Sequence, residues 1–279
     1  MKDRGHAVGL LLIAGIALAG CTTSYAAGSA SHAGKSRATT SPSLVPTSAS
    51  PSPTQASSGP ASWAWCSSAP TAQWRTPGGQ FDLYNDEWNT PRNPGPQTIC
   101  GNAASSWQVT TTQRAGNHAI LTYPCVQLNY NGTTGYPLGK FTSMTSSYAE
   151  NMNAVSGTDA QAAYDIWING LQKEVLVWVD NHLQTPLGSV VAITRFSGAT
   201  WDLYEYAGRP YMAFVREGNA TSGTVDLFAA LKYLEGRGDL AATDMLWQVN
   251  FGWEIASTAG EPEIFAVSNY SVTSAVQVP

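Results

Sequence analysis

Charge is scarce in this chain. Only 12% of its 279 residues are Asp, Glu, Lys or Arg, about half of the roughly 25% that soluble domains carry. What charge there is leans acidic, 19 residues against 14 for a net charge of −5, so the basic face that a nucleic-acid partner needs is missing. Histidine is sparse as well. His6, His32, His118 and His182 are scattered, so no metal-ligand constellation is visible and no cofactor is expected. The apolar run from Ala7 to Ala19 is too short to span a bilayer comfortably. Internal repeats are absent, and nothing marks a second folded domain.

What is present begins with that short apolar run. Lys2 and Arg4 precede it, and it ends in Leu18-Ala19-Gly20-Cys21, a sequence that looks like a bacterial lipobox. This reading makes residues 1–21 a lipoprotein signal peptide, cleaved before Cys21, whose thiol is then lipidated. Two or more acyl chains give a stable anchor where one does not. An ordinary secretory signal with a chance cysteine is the alternative. Residues 22–60 follow as a linker in which 32 of 39 positions are Ser, Thr, Pro, Ala or Gly. Such a segment buries too little apolar surface to offset its ordering entropy. Coil scaling gives it a reach of roughly 35 Å. The expected location is the outer side of the cell membrane, with the lipid as the sole membrane contact. In an oxidising compartment a disulfide is expected among Cys66, Cys100 and Cys125. The pairing favoured is Cys66 with Cys100, which leaves Cys125 free, although other pairings stay open.

Residues 61–279 read as one domain. Short alternating or apolar runs are bounded by Gly, Pro, Asn and Ser clusters, the pattern of an all-β sandwich. Candidate strands are Gln80–Tyr84, Ala119–Tyr123, Ala162–Ile168, Glu174–Val179, Val190–Phe196, Thr200–Tyr206, Tyr211–Val215, Met245–Glu254 and Phe265–Val272. Leu227, Phe228, Leu231 and Leu234 keep helical spacing, with Thr224 or Asp226 to cap the start and Gly236 after the end. The fold expected is an all-β jelly-roll sandwich of two antiparallel sheets, with one short helix and a concave cleft.

Two of these strands carry one glutamate each. Alternation sets Val175, Val177 and Val179 on one face, and Glu174, Leu176, Trp178 and Asp180 on the other. In the second strand Trp247, Val249, Phe251, Trp253 and Ile255 oppose Gln248, Asn250, Gly252 and Glu254. Each strand thus has an apolar core face and a mixed face holding a carboxylate. Two carboxylates across a cleft are what glycoside hydrolysis requires. All 10 tryptophans lie beyond residue 60, and such rings serve either a core or a cleft where pyranose faces stack.

With the strands placed, several passages resemble glycoside hydrolase family 12, the small jelly-roll endoglucanases and xyloglucanases. Tyr84-Asn85-Asp86-Glu87-Trp88-Asn89 resembles the family's Tyr-Asn-Asn-x-Trp-Gly segment, and Ala163-Tyr164-Asp165-Ile166-Trp167 its Tyr-Asp-Ile-Trp strand. Glu174-Val175-Leu176-Val177-Trp178 is similar to the nucleophile motif Glu-Ile-Met-Ile-Trp. Thr200–Tyr204, Met212–Val215 and the helix at Asp226–Leu234 follow in order. Gly252-Trp253-Glu254 is similar to the Gly-Phe-Glu that carries the acid/base. The resemblance implies a retaining mechanism in which Glu174 is the nucleophile, Glu254 the acid/base, and Asp165 a hydrogen-bonding support for Glu174. It also implies sugar contacts from Asn85, Trp88, Trp178 and Leu176. The chain departs from the family pattern at Asp86, Asn89, Leu176 and Ile255, which bears on the substrate more than on the reaction.

The expected partner is a β-1,4-glucan chain, whether cellulose, mixed-linkage glucan or xyloglucan, bound by a monomer. Two other readings stay open: a tethered glycan-binding module that has lost the chemistry, and a structural envelope lipoprotein with no glycan ligand.

Overall fold

A computed structural model describes residues 62–132 and 134–277. The proposed signal peptide, Cys21 and the linker at 22–60 lie outside the described residues.

Sixteen strands and one α-helix make up the secondary structure that organises the described chain. The six-stranded sheet runs β1 (Trp65–Ser67), β4 (Gln97–Ala103), β5 (Ser106–Thr111), β16 (Glu263–Val276), β8 (Phe141–Met152) and β14 (Ser222–Asp226). The larger sheet runs β11 (Ser189–Phe196), β12 (Ala199–Tyr206), β13 (Tyr211–Arg216), β10 (Lys173–His182), β9 (Thr158–Ile168), β15 (Met245–Thr258), β6 (Cys125–Asn129), β3 (Phe81–Tyr84) and β2 (Gln73–Arg75). A short β7 (Tyr136–Pro137) pairs with β15. This is the two-sheet jelly roll that the alternating runs predict. One pairing breaks the antiparallel rule: β10 and β13 run parallel, with Glu174 opposite Tyr211. The chain leaves β10, jumps to the sheet edge at β11, and returns through two hairpins.

The core lies between the sheets. Val175, Val177 and Val179 of β10 meet Val249, Phe251, Trp253 and Ile255 of β15 there, together with Ile99, Trp107 and Phe265 of the smaller sheet. Burying a side chain of this size stabilises by about 1.5–3 kcal/mol, which fixes the register, because a slip by one residue would turn the whole set outward. The opposite faces of β9, β10 and β13 hold a second apolar cluster of Ala163, Leu176, Trp178, Tyr211 and Ala213. That face is turned away from the core between the sheets.

Helix α1 (Leu227–Arg237) starts where Asp226 accepts a hydrogen bond from the Ala229 amide at 2.9 Å. Its end differs from the expectation. Gly236 lies inside the last turn, and Gly238, at φ 90°, closes the helix. The predicted strand at Ala119–Tyr123 is irregular chain joined to β15 by a single bridge, Thr122 to Ile255. The cystine joins Cys66 and Cys100, which face one another across β1 and β4, and Cys125 is a buried free thiol.

Candidate active site

Three neighbouring strands build the site. Strand β9 lies between β10 and β15. Across the three, Trp167 stands between Glu174 and Gln248, Asp165 between Leu176 and Asn250, and Ala163 between Trp178 and Gly252; Gln161 stands opposite Glu254. Glu174 and Glu254 therefore share the face turned away from the core, staggered along β9 with Asp165 at an intermediate row. Gly252 is required here. A Cβ at that position would lie 2.0 Å from the Pro124 carbonyl oxygen, so only glycine lets β6 approach β15 two residues before Glu254.

The electrostatics separate the carboxyls. Burial raises Glu254 to about 7, and the charge of Glu174 adds to the effect. A hydrogen bond from Gln161 Nε2 to Glu254 Oε2 pulls the other way. Glu174 is raised by burial and opposed by Arg209, whose Nη1 lies 2.9 Å from Glu174 Oε2 as an ion pair without hydrogen-bond alignment. Asp165 is pushed well above the ordinary carboxylate range, first by burial and then by the charges of Glu174 and Glu254. Its Oδ2 accepts a 2.8 Å bond from Trp167 Nε1, and its Oδ1 has no hydrogen-bond partner. Among the described residues Asp165 makes this contact and not the hydrogen bond expected to Glu174.

A fourth carboxyl joins them. Asp86, at φ 36°, has its carbonyl held by the Tyr123 amide and the Thr122 hydroxyl, each at 2.9 Å. Burial raises its side chain to about 7, and its charge in turn raises Asp165. This left-handed backbone suits Asn or Asp better than most residues.

The expected sugar contacts divide. Trp88 is 49% exposed and offers a ring face. Asn85 does not point to the ligand face. It is fully buried, with Nδ2 donating to the Ala69 carbonyl and to Glu87 Oε1, and Oδ1 accepting from Gln97 Nε2. Its side-chain bonds hold the segment that presents Asp86 and Trp88. Leu176 and Trp178 lie on the predicted face but are 1% and 2% exposed. Packed against Tyr211 and Ala213 of β13, they form the floor, and Trp178 has no free face for stacking. Trp65 and Trp74 stack on one another at 5.7 Å against the core edge. Gln161 and Arg209 were not singled out from sequence. Neither sits in a recognisable motif, and their relation to the glutamates arises only when β9 and β13 pair with their neighbours.

A family model described as glycosyl hydrolase family 12 matches residues 79–275. The chain is 26% identical over 221 residues to the xyloglucan-specific endo-beta-1,4-glucanase A of Aspergillus niger, covering 72% of this chain and 88% of that one. Among solved structures, it is similar to the xyloglucanase domain of a type three effector from Sinorhizobium fredii, in complex with cellobiose. That likeness has 28% identity and a TM-score of 0.64, covering 76% of this chain and 99% of the other. An endoglucanase of Rhodothermus marinus, at 22% identity and a TM-score of 0.68, covers 77% and 100% and shares the fold. With its two-sheet fold and a family match over most of the described residues, the chain is a glycoside hydrolase and belongs to glycosyl hydrolase family 12.

Proposed function

We propose that the chain is an endo-acting, retaining hydrolase of β-1,4-glucans, with xyloglucan, mixed-linkage glucan and cellulose as its substrate class. One observation carries this reading: two glutamates share the ligand face, one raised to about 7 by burial and a like charge, the other paired with a cation. Acid and nucleophile need opposite protonation at one pH, and these surroundings separate them in that sense. Glu174 attacks the anomeric carbon and forms a glycosyl ester as the glycosidic C–O bond breaks, while Glu254 gives its proton to the leaving oxygen. Glu254 then takes a proton from water, whose oxygen displaces Glu174. The relatives from Aspergillus niger and Sinorhizobium fredii are named for xyloglucan, which puts that polymer first among those to assay.

Reducing-sugar release from soluble xyloglucan and carboxymethyl cellulose tests the activity. Wild type should exceed a Glu174→Gln control by several orders of magnitude. Binding without such an excess would instead make the chain a glycan-binding module. Proton NMR of the first product should show the β-anomer, and an initial α-anomer rejects the double displacement. A surface-tethered arrangement, with Cys21 lipidated and residues 22–60 as spacer, belongs to the same proposal. Partition of the expressed protein into detergent, lost in Cys21→Ser, is the measurement that checks it.

A further inference from the structure

We propose that Arg209 is a positioning residue for the nucleophile: it clamps one oxygen of Glu174, leaves the other to attack, and supplies the cation that this acidic face otherwise lacks. The inference rests on the assignment of Glu174 as nucleophile.

The turn from Tyr206 to Tyr211 is tied to Glu174 twice. Along the main chain, the Glu174 amide donates to the Pro210 carbonyl at 3.0 Å, and Tyr211 is the parallel partner of Glu174. Through side chains, Arg209 Nη1 meets Glu174 Oε2 at 2.9 Å. The arginine is preset for that contact. Its guanidinium carbon lies 5.2 Å from the centre of the Tyr211 ring, a cation–π distance. Pro210 restricts the backbone of the residue before it to extended conformations. The Tyr206 ring lies so close to Gly208 that a Cβ there would come within 2.5 Å of it.

Charge makes the contact consequential. The charge of Glu174 raises both Asp165 of β9 and Glu254 of β15, and Asp86 adds to the rise of Asp165. Among the described residues, Arg209 is the only Lys or Arg ion-paired with any of these four carboxyls. Asp239 and Glu205 line a pocket of about 360 Å³ together with Arg209, but both pair with Arg237. They leave Glu174 as the carboxyl that Arg209 pairs with, while the same charge also lowers Glu254. Oε2 of Glu174 is buried against the guanidinium, so Oε1 is the oxygen left to form the glycosyl ester, and Arg209 then faces the ester carbonyl. An opposite charge at this range lowers a carboxyl by 1–3 pH units. Without it, Glu174 keeps its proton to higher pH and attacks only from the ionised fraction.

The experiment compares wild type, Arg209→Met and Arg209→Lys in two readouts. One is kcat/KM against pH on soluble xyloglucan; the other is a carbon-13 NMR titration of the glutamate carboxyls, which needs no turnover. Expected in Arg209→Met is an acidic limb, and a Glu174 titration, higher by about one pH unit or more, with a tenfold loss of kcat/KM below the limb. Arg209→Lys restores most of the limb, since it keeps the charge. Coincident Glu174 titrations in wild type and Arg209→Met overturn the proposal, as does an equal shift in Arg209→Lys. A wild type that never hydrolyses glucan rejects the functional assignment instead, while the titration still judges the ion pair.

Discussion

Removing the hydrogen bond that Gln161 gives to Glu254 should move the alkaline edge of activity upward. Gln161 is fully buried, its Nε2 donates to Glu254 Oε2, and its Oε1 has no partner. Leucine in its place keeps the volume, removes one unpaired polar atom and withdraws one donor. The donor favours ionised Glu254, so its loss raises the carboxyl above its present value of about 7. A bond to a charged group is worth about 1.5–3 kcal/mol. Glu254 is partly exposed, so water replaces some of this, and about 1.4 kcal/mol, or one pH unit, is the working figure. The general acid must be protonated in the free enzyme, and the basic limb of kcat/KM reports it. With the limb moved from about 7 to about 8, Gln161→Leu at pH 8 should retain about half of its own plateau, against about a tenth for wild type, a roughly fivefold difference. The assay is reducing-sugar release from soluble glucan across pH 5–9, with thermal melting as a control for the fold. A basic limb that stays in place or moves to lower pH, in a variant that melts like wild type, rules out this role for the Gln161 donor.

Three further outcomes are expected. Opening the Cys66–Cys100 bridge, 34 residues apart, should cost about 4 kcal/mol by loop-closure entropy and lower Tm by on the order of 10 °C; identical melting with and without reductant refutes it. Glu150 lies buried between the sheets, where burial raises it to about 8, Asp180 adds to the rise and Trp253 Nε1 opposes it. Its folded value exceeds its unfolded one, so its stabilising effect is whole below about pH 4.5 and falls away as pH rises through about 8; Tm of wild type should decline over that window, and that of Glu150→Gln should stay flatter. Trp88→Ala should raise KM for soluble glucan by up to about tenfold, the worth of one aromatic contact, with Tm unchanged, since the ring is 49% exposed; an unaltered KM removes Trp88 from the sugar path.

Alternation was the legible part of this chain. The valines of β10 and the aromatic face of β15 pack in the core, and their glutamates stand on the opposite face. Strand β8 was missed because Phe-Thr-Ser-Met-Thr-Ser-Ser-Tyr reads as polar. Its inward Ser146 is buried and bonded to the Ser271 carbonyl and by Tyr164, so hydrogen bonds replace the apolar signal. Alternation places Trp178 on the right face but not at its depth, since β13, the strand beside it, arrives only through the parallel pairing. The burial of Asn85 is hidden from sequence for a related reason: its partners Ala69 and Gln97 come from other stretches of chain. Arg209 carries no period and no motif of its own. A Gly-Arg-Pro turn leading into a strand was the local cue, and only the position of β10 beside it gives that cue meaning.

The last strand of the chain is not an edge. Strand β16 sits in the middle of the smaller sheet, between β5 and β8, and β15 before it brings Glu254 to a partner strand that ends at residue 168. Such distant pairings close late and slowly. During synthesis, a nascent polypeptide that has already made Asp165 and Glu174 still lacks Glu254 and β16, the strand that joins β5 to β8 in the opposing layer. Neither sheet can be completed before β15 and β16 have been made.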